Sequence, residues 1–170
     1  MATMARTWMA GAGMALLAGC ASQATPDTAA QLFDCGALDQ AVESAEGGFD
    51  DIKGRLDDTR LTRTWETDVQ AFHDACLITS ARRPDHYVCF GRLKLDSPQP
   101  ALIQGGEGLA RCLGKDWTSR QTSAERIEFV RDAAGPVVVL ETFLNDRGRR
   151  MGTLSVFQKA RDAAPMPGDG

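Results

Sequence analysis

The sequence lacks a long apolar run. Trp8 to Ala18, broken by two glycines, falls short of the about 20 residues that a membrane-spanning helix requires, and no later segment approaches that length. A basic run is missing too: lysines and arginines are scattered among acids and the formal net charge is −4, which argues against nucleic-acid binding. No Gly-x-Ser-x-Gly elbow, phosphate-binding loop or His-Glu-x-x-His pair occurs. Gly105-Gly106-Glu107-Gly108 alone does not make a nucleotide loop. The residues therefore name no catalytic group, cofactor or enzyme class.

What is present begins at the N-terminus. Arg6 supplies one positive charge, the apolar stretch follows, and small residues precede Cys20, the charged, apolar, small-residue order of a secretory signal. Leu17-Ala18-Gly19-Cys20 resembles the lipobox of bacterial lipoproteins. The resemblance covers residues 1–20. It implies that signal peptidase II cuts before Cys20 and that Cys20 carries a diacylglyceryl group, with a further acyl chain such as palmitate on its new amino group. Each buried methylene contributes roughly 0.8 kcal/mol, so two or three chains hold the protein firmly. In enterobacterial relatives an Asp after the cysteine retains lipoproteins in the inner membrane. Ala21 stands there instead, which implies the outer membrane, with the domain facing the periplasm. The competing reading is an ordinary secreted protein, cut by signal peptidase I after an Ala-x-Ala-like site.

The expected organisation is a signal peptide (1–19), a lipidated tether (20–30), one domain (31–160) and a frayed tail (161–170) containing Pro165 and Pro167. The mature chain of about 150 residues buries roughly 68–70% of its unfolded surface, enough for one core.

Leu38, Val42, Ala45, Phe49, Ile52 and Leu56 step by four and three, the stripe of a helix with one buried face; Gly47-Gly48 would weaken its middle. Thr64 to Ala71 alternates as a half-buried strand. Ala75–Ser80 and His86–Leu95 flank the polar turn Arg82-Arg83-Pro84-Asp85 and read as a hairpin. Ala101 to Leu113 reads as a second helix weakened by Gly105-Gly106. Four segments follow, Trp117–Thr122, Glu125–Arg131, Pro136–Leu144 and Arg150–Lys159, with turn chemistry at Asp132–Gly135 and Asn145–Gly148. The expected class is α+β: a small single domain, two helices packed on antiparallel sheet, in the approximate order α-β-β-β-α-β-β-β.

Beyond Cys20, Cys35, Cys76, Cys89 and Cys112 remain. In an oxidising compartment they read as two disulfides, with three possible connectivities. Around a turn centred on Arg82-Arg83, Cys76 and Cys89 fall opposite each other, which leaves Cys35 for Cys112. A zinc reading competes, because His73-Asp-Ala-Cys76 and His86-Tyr-Val-Cys89 offer two Cys and two His. Residues three apart on a strand point to opposite faces, which disfavours that reading, and no metal site is expected.

Asp50-Asp51 and Asp57-Asp58 would share one face of the first helix if it persisted, as a solvated surface rather than a cation site. His73 with Asp74, or His86 with Asp85, could form a base with its orienting carboxylate; the alternative is surface histidines. Trp65, Trp117 and Tyr87 read as core.

The functional expectation is a protein-binding module acting through a sheet face or loop, an envelope-associated factor or an inhibitor or immunity-type protein with another envelope protein as partner. Its alternatives are an enzyme acting on envelope material and a small-ligand carrier with an apolar cavity.

Overall fold

The computed structural model describes residues 32–73, 75–80, 85–93 and 98–159. Cys20 and its lipobox-like neighbours, the 20–30 tether and the 161–170 tail lie outside them, as do Asp74 and Arg82-Arg83-Pro84.

Two helices, α1 (Cys35–Ser44) and α2 (Pro98–Leu113), and a 3-10 turn (Ala45–Gly47) accompany eight strands: β1 (Leu56–Asp58), β2 (Arg63–Glu66), β3 (Ala75–Thr79), β4 (His86–Arg92), β5 (Thr118–Ser123), β6 (Arg126–Val130), β7 (Pro136–Leu144) and β8 (Arg150–Gln158). All pair antiparallel in one sheet of order β1-β2-β3-β4-β8-β7-β6-β5. Each helix is thus followed by a four-stranded meander, and the two meanders meet through their last strands, β4 and β8. The α+β class holds and the expected order roughly matches: the four segments expected after the second helix are β5 to β8, one more than that order counted, and β1 is a strand the sequence reading did not place.

Strand alternation decides which face is buried. Cys76, Cys89, Leu154 and Leu140 lie in one cross-strand row, and Ile78, Tyr87, Val156 and Val138 in another. Leu38, Ala41 and Val42 of α1 and Leu102 and Leu109 of α2 join these rows in a single core. The α2 glycines have a packing role: a Cβ on Gly105 would stand 2.6 Å from Leu140 Cδ2, and one on Gly106 3.3 Å from Ile127 Cδ1. Their absent side chains let the helix lie directly on β7 and β6.

The first helix is shorter than its apolar stripe suggested. Asp34 caps it by accepting from the Ala37 N–H at 3.0 Å, but after the 3-10 turn Gly48 (φ 68°) and Phe49 (φ 64°) adopt left-handed backbone. For Phe49 that conformation costs about 1–2 kcal/mol. Its side chain is fully buried, 6.3 Å from the Tyr87 ring between centroids, a gain of about 1.5–3 kcal/mol that offsets the cost. Phe49 and Ile52 therefore reach the core from an irregular segment, and Asp50-Asp51 and Asp57-Asp58 do not share a helical face; the second pair belongs to β1.

The expected strand Thr64–Ala71 pairs only as far as Glu66. Thr67, Val69 and Ala71 keep the inward alternation, but their partner is a side chain: the Tyr87 hydroxyl donates to the Val69 carbonyl at 2.9 Å and accepts from the Ala71 N–H at 3.0 Å.

The hairpin β3–β4 has the expected register, with Cys76 opposite Cys89. Both disulfides form, Cys76–Cys89 (Cα–Cα 4.0 Å) and Cys35–Cys112 (Cα–Cα 4.9 Å), the second joining the start of α1 to the end of α2.

Candidate binding surface

Because both helices pack on the core face, no helix among the described residues covers the opposite face of the sheet. Two cross-strand rows run through its middle: Leu77, Val88, Ser155 and Val139 in one, Ala75, Phe90 and Thr153 in the next. His86, Phe157 and Val137 form a third. Leu77 and Val88 are half-buried and Phe90 is 37% exposed, so the strip is apolar and partly open to solvent. Val137 and Val139 are buried within it.

Ion pairs border the strip on both sides. Toward β5, Arg126 binds Glu141 and Glu128, and Arg120 reaches Glu128 at 3.2 Å. Burial works to raise the Glu128 carboxyl, but hydrogen bonds from Arg126 and Arg120 outweigh it and hold the group below its ordinary value. Toward β1, Arg55 pairs with Glu66. Beside that pair is a groove of about 490 Å³, lined by Leu56, Thr64, Trp65, Glu66 and Leu77. The face thus combines an apolar centre, an open groove and a charged border.

Trp65 does not belong to this face: it stands opposite Ile78 in the core-facing row and is half-buried against the core. Lys53 lies over its ring at 4.6 Å and Arg63 at 4.9 Å. The Lys53 ammonium also bridges Asp50 at 2.6 Å and Asp85 at 2.9 Å. Burial works to lower the Lys53 value, yet the two carboxylates raise it overall and hold the cation over Trp65, on the core side of the sheet. Tyr87 is entirely enclosed, and Trp117 is half-buried under Arg131.

The cysteines of the zinc reading are taken up by a disulfide, and Asp74, the carboxylate expected beside His73, lies outside the described residues. His86 projects from the open face, stacked on Phe157 at 4.7 Å, while Cys89, three residues on, faces the core and is bonded to Cys76. A sulfur held in that bond is not a thiolate ligand, and among the described residues no group of three or more His, Cys, Asp or Glu side chains is placed to hold a metal. Burial lowers the His86 imidazole below its ordinary value and Asp85 partly opposes this, but the Asp85 carboxylate is engaged by Lys53. His73 is exposed and lines a separate hollow of about 490 Å³ with Asp34 and Gln70.

Sequence reasoning missed this face. Leu77, Val88 and Phe90 alternate with buried neighbours, a signal that marks a strand without saying which side the helices take. Compared with known proteins, the chain matches no family model, no curated protein and no solved structure.

Proposed function

We propose that the chain is a lipid-anchored, periplasm-facing module of the outer membrane that binds another envelope protein through the uncovered face of its sheet. The observation that carries this reading is the apolar strip of Leu77, Val88 and Phe90 on that face, bordered by ion pairs. A patch that is apolar at its centre and charged at its rim has the anatomy of a protein interface. Two further features support the setting. Leu17-Ala18-Gly19-Cys20 resembles a lipobox, and two disulfides suit an oxidising compartment. Acylation at Cys20 would then hold the surface at high local concentration near its partners.

The test is affinity capture of the lipidated protein from crosslinked envelopes of its own host. Wild type, Cys20→Ala and Leu77→Asp/Phe90→Asp forms are compared. A stoichiometric partner lost in the double substitution, with that variant folded by circular dichroism, supports the reading. A partner retained by the variant, or none above background with wild type, overturns it. The mass of the mature N-terminal peptide tests the anchor separately.

A further inference from the structure

We propose that the β7–β8 end of the sheet is a second, non-covalent membrane contact, which rests against an anionic phospholipid surface. The proposal rests on the lipid-anchored reading for which bilayer the surface meets and for the argument from the path of the chain.

The hairpin tip joining β7 to β8 carries two large apolar side chains in solvent, Phe143 (38% exposed) and Leu144 (56% exposed). They are followed at once by Asn145-Asp146-Arg147-Gly148-Arg149. The turn is well built: Asn145 Oδ1 accepts from the Arg147 N–H at 3.0 Å and the Arg149 N–H at 2.9 Å, and Gly148 takes the left-handed conformation that closes it. Both arginines are exposed, and so is Arg92 at the end of β4, in the row that continues through Met151 to Phe143. Among the described residues no acidic side chain forms an ion pair with Arg92, Arg147 or Arg149, nor with Arg60 or Arg111 elsewhere on the surface, whereas Arg55, Arg63, Arg120, Arg126, Arg131 and Arg150 all have one. Three of the five arginines without an ion pair among the described residues thus stand around two exposed apolar side chains, with Asp146 as the one acid of the turn. Apolar side chains that enter the headgroup boundary, with arginines beside them for lipid phosphates, are the pattern of interfacial binding.

The path of the chain points the same way. Leu32 and Phe33 open the described residues, and Phe33 bridges to Phe72. The Phe72 ring lies against Gly91 and Gly152, next to where β4 ends and β8 begins. A tether from Cys20 therefore enters the domain at the same end of the sheet as the β7–β8 tip. Its dozen residues reach at most about 40 Å, so the lipid anchor and the tip can meet one bilayer together. In that pose the Leu77–Val88–Phe90 strip stands on the sheet face rather than against lipid.

The test uses the mature chain from residue 20 with Cys20→Ser, which removes acylation. It is sedimented with vesicles of phosphatidylethanolamine and phosphatidylglycerol, and with vesicles of phosphatidylcholine alone. The expected result is binding to the anionic vesicles that weakens in high salt, with a loss of about fivefold for each arginine removed at Arg92, Arg147 or Arg149. Phe143→Ser/Leu144→Ser should reduce binding at both salt levels. Because all five side chains are exposed or half in solvent and the turn is held by backbone groups, the variants should keep the wild-type circular dichroism. Wild type remaining in the supernatant with anionic vesicles at low salt overturns the proposal, as does equal binding by the triple arginine variant. Neither outcome bears on the sheet-face partner, whose loss is read with Leu77→Asp/Phe90→Asp in envelope capture.

Discussion

The Tyr87 hydroxyl donates to the carbonyl of Val69 across a gap of 2.9 Å, and through that bond a segment that has left the sheet is held down on its core face. The same oxygen takes the Ala71 N–H, so two buried backbone groups without strand partners depend on one phenol.

Tyr87→Phe keeps the ring against Phe49 and removes both bonds. Leaving a buried polar group unpaired costs about 1–3 kcal/mol, so we expect urea denaturation to show a loss of that size and amide exchange at Ala71 to accelerate. Burial pushes the phenol up from 10.0 to about 12. The chain has a single tyrosine, so phenolate absorbance reports this group alone. Its folded value lies above its unfolded value, so its contribution to stability is intact below about pH 10 and is lost as pH rises toward 12. Phenolate forming near pH 10 in the folded protein would contradict this account.

Legibility from sequence followed the physics of each element. The β3–β4 hairpin and its disulfide could be placed because a turn sets the register and the register sets who faces whom. β7 was legible because Val137 to Leu140 is apolar on both faces. β1 was not: Leu56-Asp57-Asp58 is exposed throughout, and only backbone pairing of Leu56 with Trp65 makes it a strand. The segment from Thr67 to Ala71 alternates like a strand because its inward residues are buried, yet its hydrogen bonds go to Tyr87, to Thr67 itself, to the Asp34 N–H and, from the Gln70 side chain, to the Cys76 N–H. The uncovered face depends on where two helices land, which no local pattern encodes.

The glycines of α2 and of the 3-10 turn should respond in opposite directions. Gly105→Ala gains up to about 1 kcal/mol in helix propensity, but its Cβ meets Leu140, which is fully buried among core neighbours; overpacking costs about 1–3 kcal/mol. Net destabilisation is expected. Gly47 has nothing within 4 Å of a built Cβ and no positive φ. Gly47→Ala should therefore stabilise by about 0.4–1 kcal/mol through the unfolded chain. Thermal melts of the two variants side by side test the packing of α2 on β7 directly.

The Cys35–Cys112 bond closes a loop with a sequence separation of 77 and ties the two helix–meander halves together. Cys35→Ser/Cys112→Ser should lower stability by about 2–5 kcal/mol and leave Cys76–Cys89 intact. Peptide mapping without reductant checks the second point: one linked pair should remain, joining the β3 and β4 peptides. Any exchange of partners in the double variant would show that the β3–β4 register does not by itself select Cys89 for Cys76.

His86 provides a pH readout of the open face. Burial lowers its imidazole below 6.5, against a smaller opposing effect of Asp85, and it is stacked on Phe157. Groups facing it from neighbouring strands are Thr79 on β3 and Phe157 on β8; Asp85 is already neutralised by Lys53. A histidine with a depressed folded value contributes stability that is present above its unfolded value and is lost as pH falls through the folded one. Stability should therefore decline as the medium is acidified below about pH 6.5. The NMR titration of His86 should have its midpoint below that of His86 in the urea-unfolded chain. Phe157→Ala removes the stacked ring and opens the site to water, so the midpoint should move back up. If a protein partner covers the strip, its binding desolvates His86 further and should lower the midpoint again. A midpoint unmoved by a bound partner would place that partner elsewhere on the domain.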